Sequence, residues 1–205
     1  EYVAKRCDSE LPLLKEDSSR EIIANPILPY NIIIEGDNYH SLYTLSFTHK
    51  KSIDVIYIDP PYNTGNNDFI YNDSYVDKTD QFRHSKWLSF MSKRLRLAKN
   101  LLSKRGLIFI SIDDTEFAQL KLLCDSIFTE KNFIVDVIWN SRKSVSNDTI
   151  ISLNHNHTLV YARDIDVIQR NKQQYRLIGS KEKFSNPDND PRGDWTADPF
   201  DAPDV

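Results

Sequence analysis

The residues best suited to chemistry form a short polar string directly after an apolar run. The run 53–58 is rich in β-branched residues and ends abruptly at Asp59-Pro60-Pro61-Tyr62. An apolar run bounded by such a break predicts a strand that is buried on both faces, as in a parallel sheet. The polar string would then lie at the carboxyl end of this strand, where open α/β sheets bind their ligands.

Each residue of the string supplies a different property. Asp59 precedes a proline and is therefore biased toward an extended backbone. Pro60 and Pro61 lack an N–H, so the turn offers carbonyl acceptors without competing donors. A carboxylate and a carbonyl suit a group that donates two hydrogen bonds, such as an exocyclic amine, and Tyr62 offers a flat face for a ring. The string predicts a pocket for the amino edge of a nucleobase; an ordinary loop with a half-buried tyrosine is the alternative.

The composition bounds the class of protein. The chain has 205 residues, of which 40% are hydrophobic and 27% charged, which fits a globular domain with an appendage. Two cysteines, Cys7 and Cys124, form no disulfide or zinc pattern, so we expect a cytoplasmic protein. No apolar run is long enough to span a membrane. If the partner is a nucleic acid, the net charge of −4 indicates that the main DNA-binding surface lies in another part of the protein.

Hydrophobic patterning predicts an alternation of strands and helices. We expect strands at 31–35, 53–58, 107–112, 133–139 and 158–162, with helices from 39 to about 49, from 80–85 to 103, and from 113–116 onward. This order predicts an α/β fold whose sheet has a parallel centre and an antiparallel edge pair made by the last two strands.

Local signals refine these elements. Apolar residues at helical spacing predict one buried stripe, formed by Trp87, Met91, Leu95, Ala98 and Leu102. Gly106 is interpreted as the breaker that ends this helix. Asp113 and Glu116 have capping-box spacing for the next helix, although Asp113 would also face the active cleft.

Two polar segments have open interpretations. Residues 66–80 carry Phe69, Tyr71 and Tyr75 and predict either a lid over the base pocket or an anchored surface loop. The pair Arg142-Lys143 predicts a phosphate contact or a solvated loop tip.

Two histidines raise the question of a metal site. His155 and His157 are at i and i+2, so on a strand they share one face and are placed to ligate zinc. No third ligand with suitable spacing lies nearby in the sequence, so we predict no metal.

The string also carries a family resemblance. Asp59-Pro60-Pro61-Tyr62 matches the catalytic motif of DNA amino-methyltransferases, and its continuation through Asn63-Thr64-Gly65 is similar to the β-class adenine-N6 enzymes. Among these the modification subunits of type III restriction systems are the most similar. The resemblance implies a Rossmann-like methyltransferase sheet and S-adenosyl-L-methionine as cofactor. It implies methyl transfer to N6 of adenine, with Asp59, Pro60 and Tyr62 as catalytic residues and Pro61, Tyr62 and Asn63 around the base.

Other segments extend the resemblance. Gly36-Asp37-Asn38 before a leucine helix looks like the segment that lies near the methyl donor, which implies Asp37 and Asp59 as cofactor-binding residues; a helix cap is the alternative for Asp37. The segment from His155 to Tyr161 is similar to a motif near the target base, with Asn156 where the family commonly has Glu. Residues 186–195 resemble the lead into a target-recognition region, where Arg192 or Trp195 would touch DNA.

The resemblance also implies partners and boundaries. Double-stranded DNA, a restriction subunit and a second copy in a homodimer are the expected partners. We expect a lead-in at 1–30, a catalytic part at 31–165, and a linker toward the recognition region at 166–205. The five glycines form no Phe-x-Gly-x-Gly loop, so we expect the chain to lack the main cofactor loop, to bind the methyl donor weakly or not at all, and to be inactive alone.

Alternatives remain at this point. Methylation of cytosine N4, of an RNA base or of a protein amide is served by related motifs, although an Asp at the first position favours adenine. A non-catalytic module that binds DNA or a restriction partner is the alternative from a different class.

Overall fold

The computed structural model describes most of the chain. The described residues are 2–7, 9–22, 27, 29–65, 68–71, 74–141, 150, 152, 154–176 and 185–195. The chain divides into two compact units, Glu1–Arg170 and Asn171–Val205. The domain boundaries expected from the sequence stay a prediction.

Helices and strands alternate along the first unit. Its helices are α1 (Tyr2–Arg6), α2 (Asn38–Thr48), α3 (Arg83–Leu101), α4 (Phe117–Phe128) and α5 (Ile165–Arg170). Its strands are β1 (Ile53–Ile58), β2 (Ile70–Tyr71), β3 (Ser74–Tyr75), β4 (Leu102–Ile112), β5 (Phe133–Asn140) and β6 (His155–Ala162). Within the described part of the chain, no helix has the length and apolar character to cross a bilayer.

Four strands form a mixed sheet in the order β1-β4-β6-β5. β1 pairs with β4 in parallel, whereas β6 runs antiparallel to β4 and β5 runs antiparallel to β6. The predicted α/β fold, with a parallel centre and an antiparallel edge hairpin, is confirmed. In this topology the start of β6 lies at the same sheet edge as the ends of β1 and β4, and His157 pairs with Ile112.

One face of the sheet carries the core. Trp87, Met91, Leu95 and Ala98 of α3 are buried, as the helical stripe predicted. They belong to a cluster with apolar residues of β4, α4 and β6, which include Ile108, Ile110, Ile112, Leu120, Cys124, Ile127, Phe128, Leu159 and Tyr161. Burying each large apolar side chain contributes about 1.5–3 kcal/mol, so this cluster dominates the stability of the sheet.

The opposite face of the sheet is exposed at its two edge strands, whereas Val160 and Ala162 of β6 are buried on that face. Val55 and Tyr57 of β1 are 61% and 64% exposed, and Val137 and Trp139 of β5 are 47% and 67% exposed. The prediction that the strand at 53–58 is buried on both faces was therefore wrong for the described structure. Only its alternate residues Ile56 and Ile58 pack against the core.

The segment 31–35 does not form the predicted strand. It has no strand partner among the described residues, and Ile32 and Ile33 are 68% and 96% exposed. An apolar β-branched run favours a strand, but only a ladder partner satisfies its backbone groups.

Gly106 does not end the helix before it. α3 ends at Leu101, and β4 begins at once with Leu102 and includes Gly106. A Cβ at Gly106 would lie 2.9 Å from the carbonyl oxygen of Ile53. The glycine therefore permits β4 to approach β1 closely, a use of glycine that the sequence pattern did not distinguish from helix termination.

Candidate active site

Three segments meet at one edge of the sheet. They are the loop 59–65 after β1, the turn 113–116 after β4, and the first residues of β6. The parallel pairing of β1 with β4 brings the first two together, and the antiparallel pairing of β6 adds the third. The predicted site string thus lies at the carboxyl end of its strand, next to Asp113.

Asp59 and Tyr62 form a hydrogen-bonded pair. The Tyr62 hydroxyl donates to the Asp59 carboxylate, and burial of the ring together with this bond raises the pKa of Tyr62 to about 12. The phenol therefore stays protonated at neutral pH and acts only as a donor toward Asp59. Asp59 is exposed, so its remaining lone pairs face solvent and are available to another donor.

Helix α3 supports the loop 59–65 through a hydrogen bond from Trp87. The indole Nε1 of Trp87 donates to the carbonyl oxygen of Pro61 over 2.7 Å, and Trp87 has no exposed surface. Trp87 was predicted as a core residue only; its polar atom also fixes the turn. A buried indole N–H requires an acceptor, and the proline carbonyl provides it.

Asn63 anchors the end of the string. It has a φ of 59° and only 1% exposure. Its Nδ2 donates to Glu116 Oε1 over 2.5 Å and contacts the carbonyl oxygen of Arg83 at 3.4 Å. The resemblance implied Asn63 as a residue around the base; here its amide points into the protein, which makes it an anchor of the loop.

Glu116 is the residue that sequence reasoning missed. It has no exposed surface, and its Oε1 accepts from both Asn63 Nδ2 and His84 Nδ1, the latter at 2.7 Å. Arg83 Nε donates to His84 Nε2 over 3.2 Å, which leaves the imidazole proton on Nδ1, facing Glu116. Glu116 Oε2 and Asn63 Oδ1 are buried and have no hydrogen-bond partner among the described residues.

The predicted capping box is wrong. α4 begins at Phe117, and Glu116 makes no side-chain cap hydrogen bond. Asp113 Oδ1 instead accepts from the backbone N–H of Thr115 at 2.9 Å, which closes a turn before the helix. The capping-box spacing already explained why an acid stands at position 116. No feature of the sequence indicated that Glu116 contacts Asn63.

The segment after the string folds back on the core. The backbone N–H groups of Thr64 and Gly65 donate to Asp68, and Phe69 and Val76 flank a hairpin of β2 and β3 and are buried. The ring of Phe69 meets that of Phe90 with a centroid distance of 5.2 Å. Phe69 is thus an anchor. A lid role for residues 66–80 stays a prediction, and residues 66, 67, 72 and 73 lie outside the described part of the chain.

His155 and His157 lie on β6 with two acids beside them. His157 Nδ1 is 2.7 Å from Asp136 Oδ2, and its Nε2 is 3.1 Å from Asp114 Oδ1. Burial alone would lower the pKa of His157, but these hydrogen bonds outweigh it and the pKa is raised. The ring centroids of His155 and His157 are 5.1 Å apart.

Asp37 caps helix α2, which confirms one of the two interpretations of this residue. Its Oδ1 accepts from the backbone N–H of Tyr39 at 2.7 Å at the start of α2, and Arg94 Nη2 lies 3.7 Å away. A role toward the cofactor stays a prediction.

The remaining candidates are residues predicted to contact DNA. Arg142 and Lys143 lie outside the described residues. In the second unit, Trp195 Nε1 donates to Asp188 over 2.9 Å, and Arg192 pairs with Asp190. These two polar groups therefore have local partners, and DNA contact by either stays a prediction.

Known proteins resemble this chain in sequence. A family model described as DNA methylase (N6_N4_Mtase) matches residues 53–204. The StyLTI Mod subunit, a type III restriction-modification enzyme of Salmonella typhimurium, is 38% identical over 186 residues, which are 80% of this chain and 28% of that protein. The type II methyltransferase M.KpnI of Klebsiella pneumoniae is 46% identical over 131 residues, or 62% of this chain and 31% of that protein.

A solved structure is similar as well. The M1.HpyAVI–SAM complex aligns with a TM-score of 0.41 and 14% identity, covering 77% of this chain and 60% of that one. The chain spans less than a third of the length of the two curated relatives above. The family model covers well over half of the chain, including the whole of the candidate site from β1 to β6. The chain therefore belongs to the DNA methylase family.

Proposed function

We propose that this chain forms the catalytic part of an enzyme that methylates the exocyclic N6 of adenine in DNA, within a type III restriction-modification system. The observation that carries the proposal is the Asp59–Tyr62 pair at the carboxyl end of β1, in a chain of the DNA methylase family. It combines an exposed carboxylate acceptor with an aromatic face, which suits the amino edge of a base.

The residues of the loop would handle the base in defined ways. The target adenine must leave the duplex, because its amine is inaccessible in the stack. The ring of Tyr62 stacks on the base, while Asp59 and the Pro60 carbonyl accept hydrogen bonds from the amine. These bonds reduce conjugation of the nitrogen with the ring and leave its lone pair available as nucleophile. Catalysis would come from positioning and electrostatics.

The underlying contacts support preorganisation of this loop. Trp87 holds the Pro61 carbonyl and Glu116 holds Asn63, so the backbone on the C-terminal side of Asp59 has two buried tethers. The Tyr62 hydroxyl orients the Asp59 carboxylate. The loop would therefore need little rearrangement when the amine arrives.

S-adenosyl-L-methionine is the methyl donor that we propose, and when bound it supplies an activated methyl group on a sulfonium. Its hydroxyl and ammonium groups are donors, which fit the carboxylates of Asp37 and Asp59. Gly36, beside Asp37, has a φ of 146°, and among the described residues no atom lies within 4 Å of the position of a Cβ, so the approach to α2 is open there. Double-stranded DNA and a restriction subunit are the proposed partners.

The first experiment tests Asp59. In the full-length product of the gene that encodes this chain, we expect Asp59→Ala to abolish methyl incorporation into adenine-containing DNA and to leave DNA retention in a mobility-shift assay unchanged. Asp166→Ala is the matched control, because Asp166 is an exposed acid on α5 that pairs only loosely with Lys131 at 3.4 Å. Normal turnover by the Asp59→Ala enzyme would refute the assignment, and incorporation into cytosine, RNA or protein instead would replace adenine as the substrate.

The second experiment is a calorimetric titration of S-adenosyl-L-methionine into this chain and into the full-length product. We expect tight binding only by the full-length protein. Binding by neither protein would favour a non-catalytic module. Tight binding by the chain alone would show that the cofactor site lies within these residues.

A further inference from the structure

The group Asp114, His155 and His157 has the composition of a metal site. One ligand atom from each residue lies within 4.8 Å of the others. His155 and His157 project from the same face of β6, while Asp114 comes from the turn after β4. Asp114 precedes His155 and His157 by 41 and 43 positions in sequence, and the β4–β6 pairing brings it beside them.

His157 is oriented in the manner of a metal ligand. Its Nδ1 is 2.7 Å from the carboxylate of Asp136 on β5, and its ring stacks on Phe117 with a centroid distance of 4.1 Å. In the structure its other nitrogen, Nε2, is hydrogen-bonded to Asp114 Oδ1 at 3.1 Å. A metal ion between the two groups would replace the proton of this hydrogen bond and bind the lone pair of Nε2. Metal-binding histidines almost always have such an outer partner.

We propose that Asp114, His155 and His157 bind a divalent transition-metal ion of the zinc class, with Asp136 as the carboxylate that orients His157. Two imidazoles and one carboxylate are a common ligand set for zinc, with a fourth position for water. The proposal does not depend on methyl transfer.

The distances and charges suit this ion. Bonds of about 2.0–2.1 Å in a tetrahedral site place ligand atoms roughly 3.3–3.4 Å apart. The His157–Asp114 separation is already close to this value, and the other ligand atoms of the group lie within 4.8 Å of one another. The side chain of Asp114 is 46% exposed, which leaves room for adjustment and a path for entry. The carboxylates of Asp114 and Asp136 compensate the charge of the ion.

The test uses this chain, stripped with a chelator, and neither DNA nor a methyl donor, so its outcome is separate from that of the proposed function. Co²⁺ is titrated as a spectroscopic substitute, and Zn²⁺ and Mg²⁺ are titrated by calorimetry. We expect one equivalent of Co²⁺ with the visible absorption of a tetrahedral N/O site, displaced by Zn²⁺ and not by Mg²⁺.

Variants locate the site. We expect His155→Ala and Asp114→Asn each to weaken Zn²⁺ binding at least tenfold, and Asp136→Asn to weaken it about 10–100-fold. His155 and Asp114 are partly exposed, so these two variants should fold, which circular dichroism checks. His49→Ala is the control, since His49 is at the C-terminal end of α2. Absence of Zn²⁺ binding below millimolar concentration, or binding that persists in the His155→Ala/Asp114→Asn double variant, would overturn the proposal and leave an imidazole paired with two carboxylates.

Discussion

Glu116 shows how a single buried acid organises the catalytic loop. A carboxylate without exposed surface is costly unless it is paired, and Glu116 is paired with His84 and Asn63. Asn63 follows directly after the Asp59–Tyr62 string, and its positive φ ends the extended turn. The geometry of the string thus depends on a residue 53 positions later in the chain.

We expect Glu116→Ala to be much more harmful than Glu116→Gln. The alanine removes the main acceptor and leaves the buried Asn63 amide with only its long contact to the Arg83 carbonyl oxygen, at a cost of about 1–3 kcal/mol. The glutamine retains an acceptor oxygen for both donors. Urea unfolding of the chain measures the stability, and kcat in the full-length protein measures the positioning of the loop. Equal losses in both variants would show that the charge, rather than the hydrogen bonds, matters.

Trp87 gives a second prediction at this scale. Trp87→Phe keeps an aromatic ring but removes the hydrogen bond to Pro61 and some buried volume, so we expect a loss of about 1–3 kcal/mol in the free energy of unfolding. Trp139→Phe is the matched control; Trp139 is 67% exposed, and a change within about 0.5 kcal/mol is expected there. Chemical denaturation of the two variants checks both values, and an equal effect at the two sites would contradict the tether.

At the scale of elements, the pairing of β1 with β4 sets the position of the site. The register shifts between Ile53 and Val55, where Gly106 allows the strands to approach. Asp54 lies at this irregularity and accepts hydrogen bonds from Ser103 and Arg105 of β4 at 2.7–3.1 Å. These polar contacts join the two strands where the ladder is interrupted.

The Asp54–Arg105 pair predicts a pH dependence of stability. The hydrogen bond from Arg105, followed by that from Ser103, lowers the pKa of Asp54 from 3.8 to about 2. The stabilising effect is therefore fully present above about pH 4 and is lost as the pH falls through about 2. We expect Asp54→Asn to lower Tm at pH 5–7 and to have little effect near pH 2.

Arg105→Gln is the partner variant for this measurement. It removes the main cause of the pKa shift while leaving Asp54 in place, so its deficit in Tm should also shrink with acid. Thermal unfolding followed by circular dichroism from pH 7 to 2 checks both variants. A deficit that stays constant over this range would mean that the ion pair does not contribute.

At the scale of the whole molecule, the exposed apolar residues of the edge strands β1 and β5 are the dominant feature. Register pairs align Val55 with Leu107, Tyr57 with Phe109, and Val137 with Thr158, so the exposed residues of β1 and β5 share one face with β4 and β6. The exposed apolar residues lie on the two edge strands, and Val160 of β6 is buried between them. Exposed apolar residues on one sheet face mark an interaction site or a tendency to associate.

We therefore expect this chain, studied alone, to bind 8-anilinonaphthalene-1-sulfonate and to self-associate at micromolar concentration. Val55→Thr and Val137→Thr, which place hydroxyls on this face, should reduce both effects without loss of helix content. Sedimentation velocity and dye fluorescence measure the two effects. A monomer without dye binding would show that this face is covered in solution.

The sequence alone determined the class of fold, the buried stripe of α3, the edge hairpin and the position of the Asp59–Tyr62 string. These features follow from local periodicity and from a motif in which neighbouring residues act together, and both can be read along the chain. Trp87 was identified as a core residue for the same reason.

Only the tertiary structure decided which distant groups meet. Three contacts join segments that are 26–53 residues apart in sequence. They are the hydrogen bond of Asn63 to Glu116, the hydrogen bond of Trp87 to Pro61, and the grouping of Asp114 with His155 and His157. The role of Gly106 was also decided by the tertiary structure, because it depends on how closely β4 approaches β1. Residues 31–35 form no strand because they lack a strand partner among the described residues. Side-chain contacts across a sheet depend on strand order and register, and neither is encoded in the spacing of residues along one segment.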